Sequence, residues 1–201
     1  MHAQTLIFFG KSGAGKGTQA KKIVEYLQKH DPKKEVVYFE TGKSLRDFNA
    51  NSDSFAGKLN NQIMQEGKLL PSFMAAYQWS RTFVEKLTGS ENEHLIIDGS
   101  PRALTESHLI DSALQFFQRK NPILISINIS DKSVIERLSQ RGRSDDGVNE
   151  IKSRLDFYHT TVHPSLNYFE NNSDYTILHI DGEQTVEEIH QELLLVLQLE
   201  Q

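Results

Sequence analysis

The chain has 201 residues, 37% of them hydrophobic, no cysteine and a formal net charge of −5. That length supports one compact domain with room for small inserts, and the lack of thiols excludes disulfides and thiolate metal sites. The acidic balance excludes a global field that would draw the protein to nucleic acid or an acidic membrane surface, so any anion site has to be built locally.

The opening segment MHAQTLIFFG carries too short an apolar run for a signal peptide, and nothing later approaches the roughly 20 apolar residues of a membrane span. A soluble, cytoplasmic protein is the expectation. LIFF, residues 6–9, reads as a buried strand, and GKSGAGKGT follows at residues 10–18. Glycines 10, 13 and 15 allow successive backbone N–H groups to curl around an anion. Ile23, Val24 and Leu27 then recur at helical spacing, which makes the segment strand, glycine loop and helix in order. The pattern GxxxxGK[ST] is met through Lys16, but Gly17 intervenes before the hydroxyl of Thr18. Lys16 suits the β and γ phosphates, Thr18 a magnesium ion, and the helix aims its positive end at the same anion. At this stage kinases, GTPases and motor-type ATPases all remain open.

Further buried strands are read at VVYF (36–39), LIID (95–98), ILISINI (123–129) and YTILHI (175–180). Between the second and third lies a long stretch with Phe55, Leu59 and Ile63 on one helical face and a GKLLP break at 67–71, room for a small helical insert. The third strand ends in IIDGSPR, Ile96 to Arg102, where open α/β sheets place their ligands. Asp98 there suits magnesium or its waters, and Arg102 an anion. Leu109, Ile110, Ala113, Leu114 and Phe117 repeat with helical period. Asp131 is the expected N-cap of a helix carrying Val134, Ile135 and Leu138, and Thr185 with Glu188 forms a capping box ahead of Ile189, Leu193 and Leu197. His159 and His163 are spaced for a metal pair but have no acidic partner in sequence, so an ordinary helix surface is expected. Strands alternating with helices imply a mostly parallel, five-stranded sheet covered on both faces.

With these residues in view, the chain resembles the adenylate kinase family of nucleoside monophosphate kinases over nearly its whole length. GKSGAGKGTQ is similar to that family's GxPGxGKGTQ, with Ser12 in place of proline. Thr41, Gly42 and Arg46 resemble its TGxxxR element, Gly67 to Pro71 its glycine, apolar, apolar, proline segment, and DGSPR its DGFPR element. Arg137, Arg141, Arg143 and Arg154 around Asp145 and Asp146 resemble its lid arginines. The resemblance implies an α/β P-loop NTPase three-layer fold: a single kinase domain over 1–201, a helical insert for the monophosphate at 40–70, and a minimal lid loop at 141–147. It implies that Gly13, Ala14, Gly15, Lys16, Gly17, Thr18 and Arg137 bind ATP, with Arg137 against the adenine. Thr41, Gly42, Arg46, Leu69, Leu70, Gly99, Arg102 and Glu106 would bind the monophosphate. Lys16, Arg102, Arg141, Arg143 and Arg154 would act on the moving phosphoryl group, with Mg2+ held at Thr18 and Asp98.

The implied reaction is reversible γ-phosphoryl transfer from ATP to a monophosphate, AMP foremost, by a monomer needing neither nucleic acid nor membrane. Such a transfer asks mainly for alignment and for cations around the equatorial oxygens, and the acceptor phosphate is largely dianionic near pH 7, so no general base is required. Three departures stand out. Lys43 replaces the usual aspartate, and a single residue, Gly142, separates Arg141 from Arg143. Glu106 replaces the glutamine of the adenylate-selective pattern. A carboxylate only accepts hydrogen bonds, which suits guanine better than adenine, so a GMP- or CMP-directed kinase stays as an alternative, and Ser12, Lys43 and the short lid keep a non-catalytic nucleotide-binding protein as another.

Overall fold

The computed structural model describes residues 2–65, 70–89, 91–142, 147–172 and 174–199. Five strands, β1 (Thr5–Phe9), β2 (Glu35–Glu40), β3 (Glu93–Asp98), β4 (Ile123–Asn128) and β5 (Thr176–Asp181), form one sheet in the order β2-β3-β1-β4-β5. Every pairing in it is parallel, with Phe8 opposite Asp98 and Phe9 opposite Ser126 in register. The expectation of a mostly parallel sheet is thus met by a wholly parallel one. Parallel strands covered on both faces read as continuous apolar runs, which is why TLIFF and HLIID carried so clear a signal.

Alternation along β1 separates the two halves of the core. Leu6 and Phe8 pack with Ala20, Ile23 and Leu27 of α1 (Lys16–His30), Val134 and Leu138 of α6 (Asp131–Arg141), and Ile189 and Leu193 of α9 (Val186–Val196). Ile7 and Phe9 face the other way. They meet Trp79 and Phe83 of α4 (Ser72–Lys86), Ile110 and Leu114 of α5 (Leu104–Phe116), and Leu166 and Phe169 of α8 (His163–Glu170). Three layers result, helix on sheet on helix. Among the described residues no helix is long and apolar enough to cross a membrane.

Two helices, α2 (Thr41–Ala50) and α3 (Phe55–Gln65), follow β2 in the stretch expected to form the insert. Phe55, Leu59 and Ile63 lie on one side of α3 as their spacing requires, but Phe55 is 81% exposed and that side is not a core face. Asn60 is buried instead, donating to Asn49 of α2. The N-cap of α6 also differs from expectation: Ser130 caps it, accepting from the Ser133 N–H at 3.1 Å, and Asp131 is the first helical residue. The Thr185–Glu188 capping box of α9 is present in full. After α7 (Val148–Phe157) the chain makes a π-helical turn, Tyr158–Val162, before α8, so His159 sits on widened backbone and not on a regular helix.

Topology decides where a ligand can go. The chain leaves β1 toward β2, returns through β3 beside β1, then crosses to β4 on β1's other side, so the loops after β1 and β3 border one crevice at the carboxyl ends of the strands. Gly10 opens the first of these loops with φ +137°, and a Cβ there would stand 2.4 Å from the Ile127 carbonyl oxygen. Only glycine lets the loop turn this close to β4.

Candidate active site

The crevice is a cleft of about 500 Å³. Lys16, Lys21, Arg46, Arg102, Arg137, Arg141 and Arg154 reach it against three carboxylates, Glu40, Asp98 and Glu106. A chain with net charge −5 thus brings seven of its 22 Lys and Arg residues to one place. That arrangement fits polyanionic ligands.

On the donor side the glycine loop runs from the end of β1 into α1. Gly15 is the helix N-cap, in the left-handed region at φ 93°, and it leaves the first N–H groups of α1 without a side-chain cap. Uncapped N–H groups at a helix start, with the positive end of its dipole, are a phosphate site. Lys16 turns back over the loop, its Nζ donating to the carbonyls of Gly10 at 2.8 Å and Lys11 at 2.9 Å. Burial lowers its pKa to about 8, partly offset by Asp98. An ammonium resting on carbonyls in a partly dry cleft gains most from an arriving phosphate. Thr18, further into α1, is exposed at the cleft wall.

The loop after β3 supplies the acceptor side. Asp98 ends the strand nearly buried, and its Oδ2 lies so close to α1 that a Cβ on Gly17 would approach it to 3.1 Å. Burial raises the Asp98 pKa, opposed by the nearby Lys16 ammonium. Thr41, at the start of α2, is wholly buried: its hydroxyl donates to the Asp98 carbonyl at 3.2 Å and pairs with the Ser100 hydroxyl at 2.8 Å. Its side chain therefore frames the loop and does not line the cleft, while its neighbour Gly42 does. Arg102 is anchored by Nε donating to the Gly99 carbonyl at 2.7 Å. Burial lowers its pKa, with Glu106 the largest opposing influence.

Glu106 is 1% exposed, so its carboxylate does not face solvent. Its carboxylate accepts from the Trp79 indole N–H at 3.2 Å and from the Arg102 backbone N–H at 2.8 Å, and still borders the cleft. Around these stand the remaining arginines. Arg46 pairs with Glu40 at 3.2 Å. Arg137 donates to the Gly182 carbonyl at 2.8 Å and reaches the Gly13 carbonyl at 3.5 Å. Arg141 is close enough to act on the Lys16 charge, and Arg154 on that of Arg102.

Of the residues singled out in the sequence, Gly13, Gly15, Lys16, Gly17, Thr18, Gly42, Arg46, Leu70, Asp98, Gly99, Arg102, Glu106, Arg137, Arg141 and Arg154 come together on this cleft. Ala14 is buried behind the loop. Leu69, Arg143, Asp145 and Asp146 lie outside the described residues, as does most of the 141–147 segment. Lys43 is bonded to Asp47 one turn along α2, away from the cleft. His159 does have an acidic neighbour, Asp131, at 3.2 Å, but no group of three His, Cys, Asp or Glu suited to a metal occurs among the described residues. Sequence reasoning missed Trp79, Glu40, Lys21 and Tyr158. Each matters only through a partner or a cleft brought to it by the fold.

The comparisons agree with this geometry. The adenylate kinase family model matches residues 8–174. An adenylate kinase of Prochlorococcus marinus is 32% identical over 178 residues, covering 89% of this chain and 91% of its own. One from Corynebacterium urealyticum is 30% identical over 96% of this chain and 98% of its own, and adenylate kinase 1 of a Nostoc species is 30% identical over 94% and 95%. The match runs from the end of β1 through α8, and the chain belongs to the adenylate kinase family.

Proposed function

We propose that the cleft aligns ATP and AMP end to end and moves the γ-phosphoryl group between them, giving two ADP, with the side chains acting as follows. Gly13, Ala14, Gly15, Gly17 and Thr18 cradle the ATP phosphates through the start of α1, and Arg137 lies against the adenine. Gly42, Arg46, Leu69, Leu70, Gly99 and Arg102 receive the monophosphate, with Thr41 and Glu106 holding that wall in shape. Lys16 on the donor side and Arg102 on the acceptor side flank the transferred phosphorus, and Arg141, Arg143 and Arg154 neutralise its equatorial oxygens. One observation carries the reading. Lys16 and Arg102, from loops after different strands, line the same cleft together with Asp98.

Magnesium fits this donor set. Mg2+ prefers hard oxygen, keeps several waters and is held by one or two carboxylates together with substrate phosphates; the Thr18 hydroxyl and the Asp98 carboxylate, which touches the start of α1 at Gly17, are of that kind. When bound, the ion supplies charge neutralisation on the phosphate chain. A monomer is the active unit in this reading.

Phosphorus NMR of ATP, AMP and Mg2+ with catalytic protein tests the reading directly. ADP resonances grow in with the native protein, and Lys16→Ala or Arg102→Ala slows them at least about a hundredfold, the scale of losing one charge-stabilising group. Shifted ATP resonances without ADP, or near-native rates in either variant, would overturn the assignment.

A further inference from the structure

The side chain of Lys11, in the glycine loop, is used by none of these steps. Lys11 turns away from the cleft, its side chain only 15% exposed. Its Nζ donates to the Ile129 carbonyl at 2.9 Å and to Asp131 Oδ1 at 2.5 Å, while its backbone carbonyl accepts from Lys16 Nζ at 2.9 Å. We propose that Asp131 is a positioning residue for the donor loop, acting through Lys11 on the resting place of the Lys16 ammonium.

Asp131 is free for this because Ser130 already caps α6. Its carboxylate also meets His159 Nε2 at 3.2 Å, and the Lys11 ammonium lies 5.7 Å from the centroid of the Tyr158 ring, so the same π-helical turn supports both partners. Helix α6 thereby grips the loop twice: at Lys11 through Asp131, and at Gly13 through Arg137. Such a hold is useful where Ser12 stands in place of a proline. A pyrrolidine ring would fix φ at that position; serine leaves the backbone freer, and the bond to Asp131 restores the restraint from outside. A loop held in shape before the triphosphate arrives loses less conformational entropy on binding it.

The inference rests on the donor assignment of Lys16, and the test separates the two. Lys11→Met, Asp131→Ala, Lys11→Arg, Ser12→Pro and the combinations Lys11→Met with Asp131→Ala and Lys11→Met with Ser12→Pro are assayed for KM toward MgATP, KM toward AMP, kcat and thermal midpoint. Lys11→Met and Asp131→Ala each raise KM for MgATP about three- to tenfold, the scale of one well-formed ion pair. KM for AMP stays within about twofold, and kcat falls less than the KM rises. The Lys11–Asp131 double variant is no worse than the worse single, Lys11→Arg stays near native, and Lys11→Met costs less than about twofold when Ser12→Pro is already present. Equal rises in both KM values, additive losses in the double variant, or a fall in thermal midpoint with KM unchanged would overturn the proposal. Native turnover in Lys16→Ala would instead remove the donor assignment beneath it.

Discussion

Replacing Glu106 by glutamine tests how this wall of the cleft is held. The carboxylate accepts one N–H on each oxygen, from Trp79 at 3.2 Å and from Arg102 at 2.8 Å, in a place with 1% exposure. An amide of the same shape has one oxygen. If that oxygen serves the shorter bond to Arg102, the NH2 group faces the indole N–H, donor against donor, and both lose an acceptor in a dry site. An unsatisfied buried donor costs about 1–3 kcal/mol. The substitution also removes the negative charge that most opposes the effect of burial on the Arg102 guanidinium. A net loss of about 1–3 kcal/mol is expected, which for a chain of this length lowers the thermal midpoint by about 2–4 °C per kcal/mol.

Trp79→Phe removes the competing donor, so the cost of the Glu106 substitution should shrink in that background, leaving a coupling energy of about 1–3 kcal/mol in the double-mutant cycle. Urea unfolding of the four proteins measures it. Because both oxygens are already engaged by the protein, the ranking of monophosphates in a turnover panel should stay the same in Glu106→Gln. A variant as stable as the native chain, or one losing as much in the Trp79→Phe background as in the native one, would refute the frame reading. A panel that shifts sharply toward AMP would show that the lone pairs left over read the base.

Three other substitutions probe the scaffold. His94 is fully buried, its Nδ1 accepting from the Gln4 N–H at 3.0 Å, and burial holds its pKa below the ordinary value despite Asp31 nearby. The unfolded chain takes up a proton near pH 6.5 and the native one resists, so this contribution is fully present above about pH 6.5 and is lost as pH falls below it. Urea midpoints at pH 7.5, 6.5 and 5.5 should fall across that range, and His94→Gln should flatten the decline in part, since His190 is shifted in the same direction. In the glycine loop, Gly10→Ala should abolish stable folding or cost well over the about 1–2 kcal/mol of a positive φ alone, because its Cβ would meet the Ile127 carbonyl at 2.4 Å. Gly15→Ala, with nothing within 4 Å, should cost only the conformational part. Equal midpoints for the two variants would contradict this.

How far the sequence could be read follows from which information is local. Central parallel strands announce themselves because both faces must be apolar, so β1, β3 and β4 were visible as runs, whereas β5, read as buried, is an edge strand in which only Ile180 is buried. The glycine loop and DGSPR were visible because a phosphate needs backbone and cations at fixed short spacing. Helical periodicity says which residues share a side, not what that side meets. Phe55, Leu59 and Ile63 share a face of α3 that no core element covers, whereas Trp79, in a helix the pattern did not single out, packs under the cleft and sets Glu106. Asp131 looked like a cap because the residue type suits one; Ser130, one position earlier, takes that place and releases the carboxylate for a lysine 120 positions away. That pairing follows from the register of β1 beside β4, which puts the loops after Phe9 and Asn128 side by side. The order β2-β3-β1-β4-β5 is thus the one missing quantity: given it, Lys16, Arg102 and Lys11 with Asp131 fall into place as neighbours, because each sits within a few residues of the end of a strand adjacent to the next.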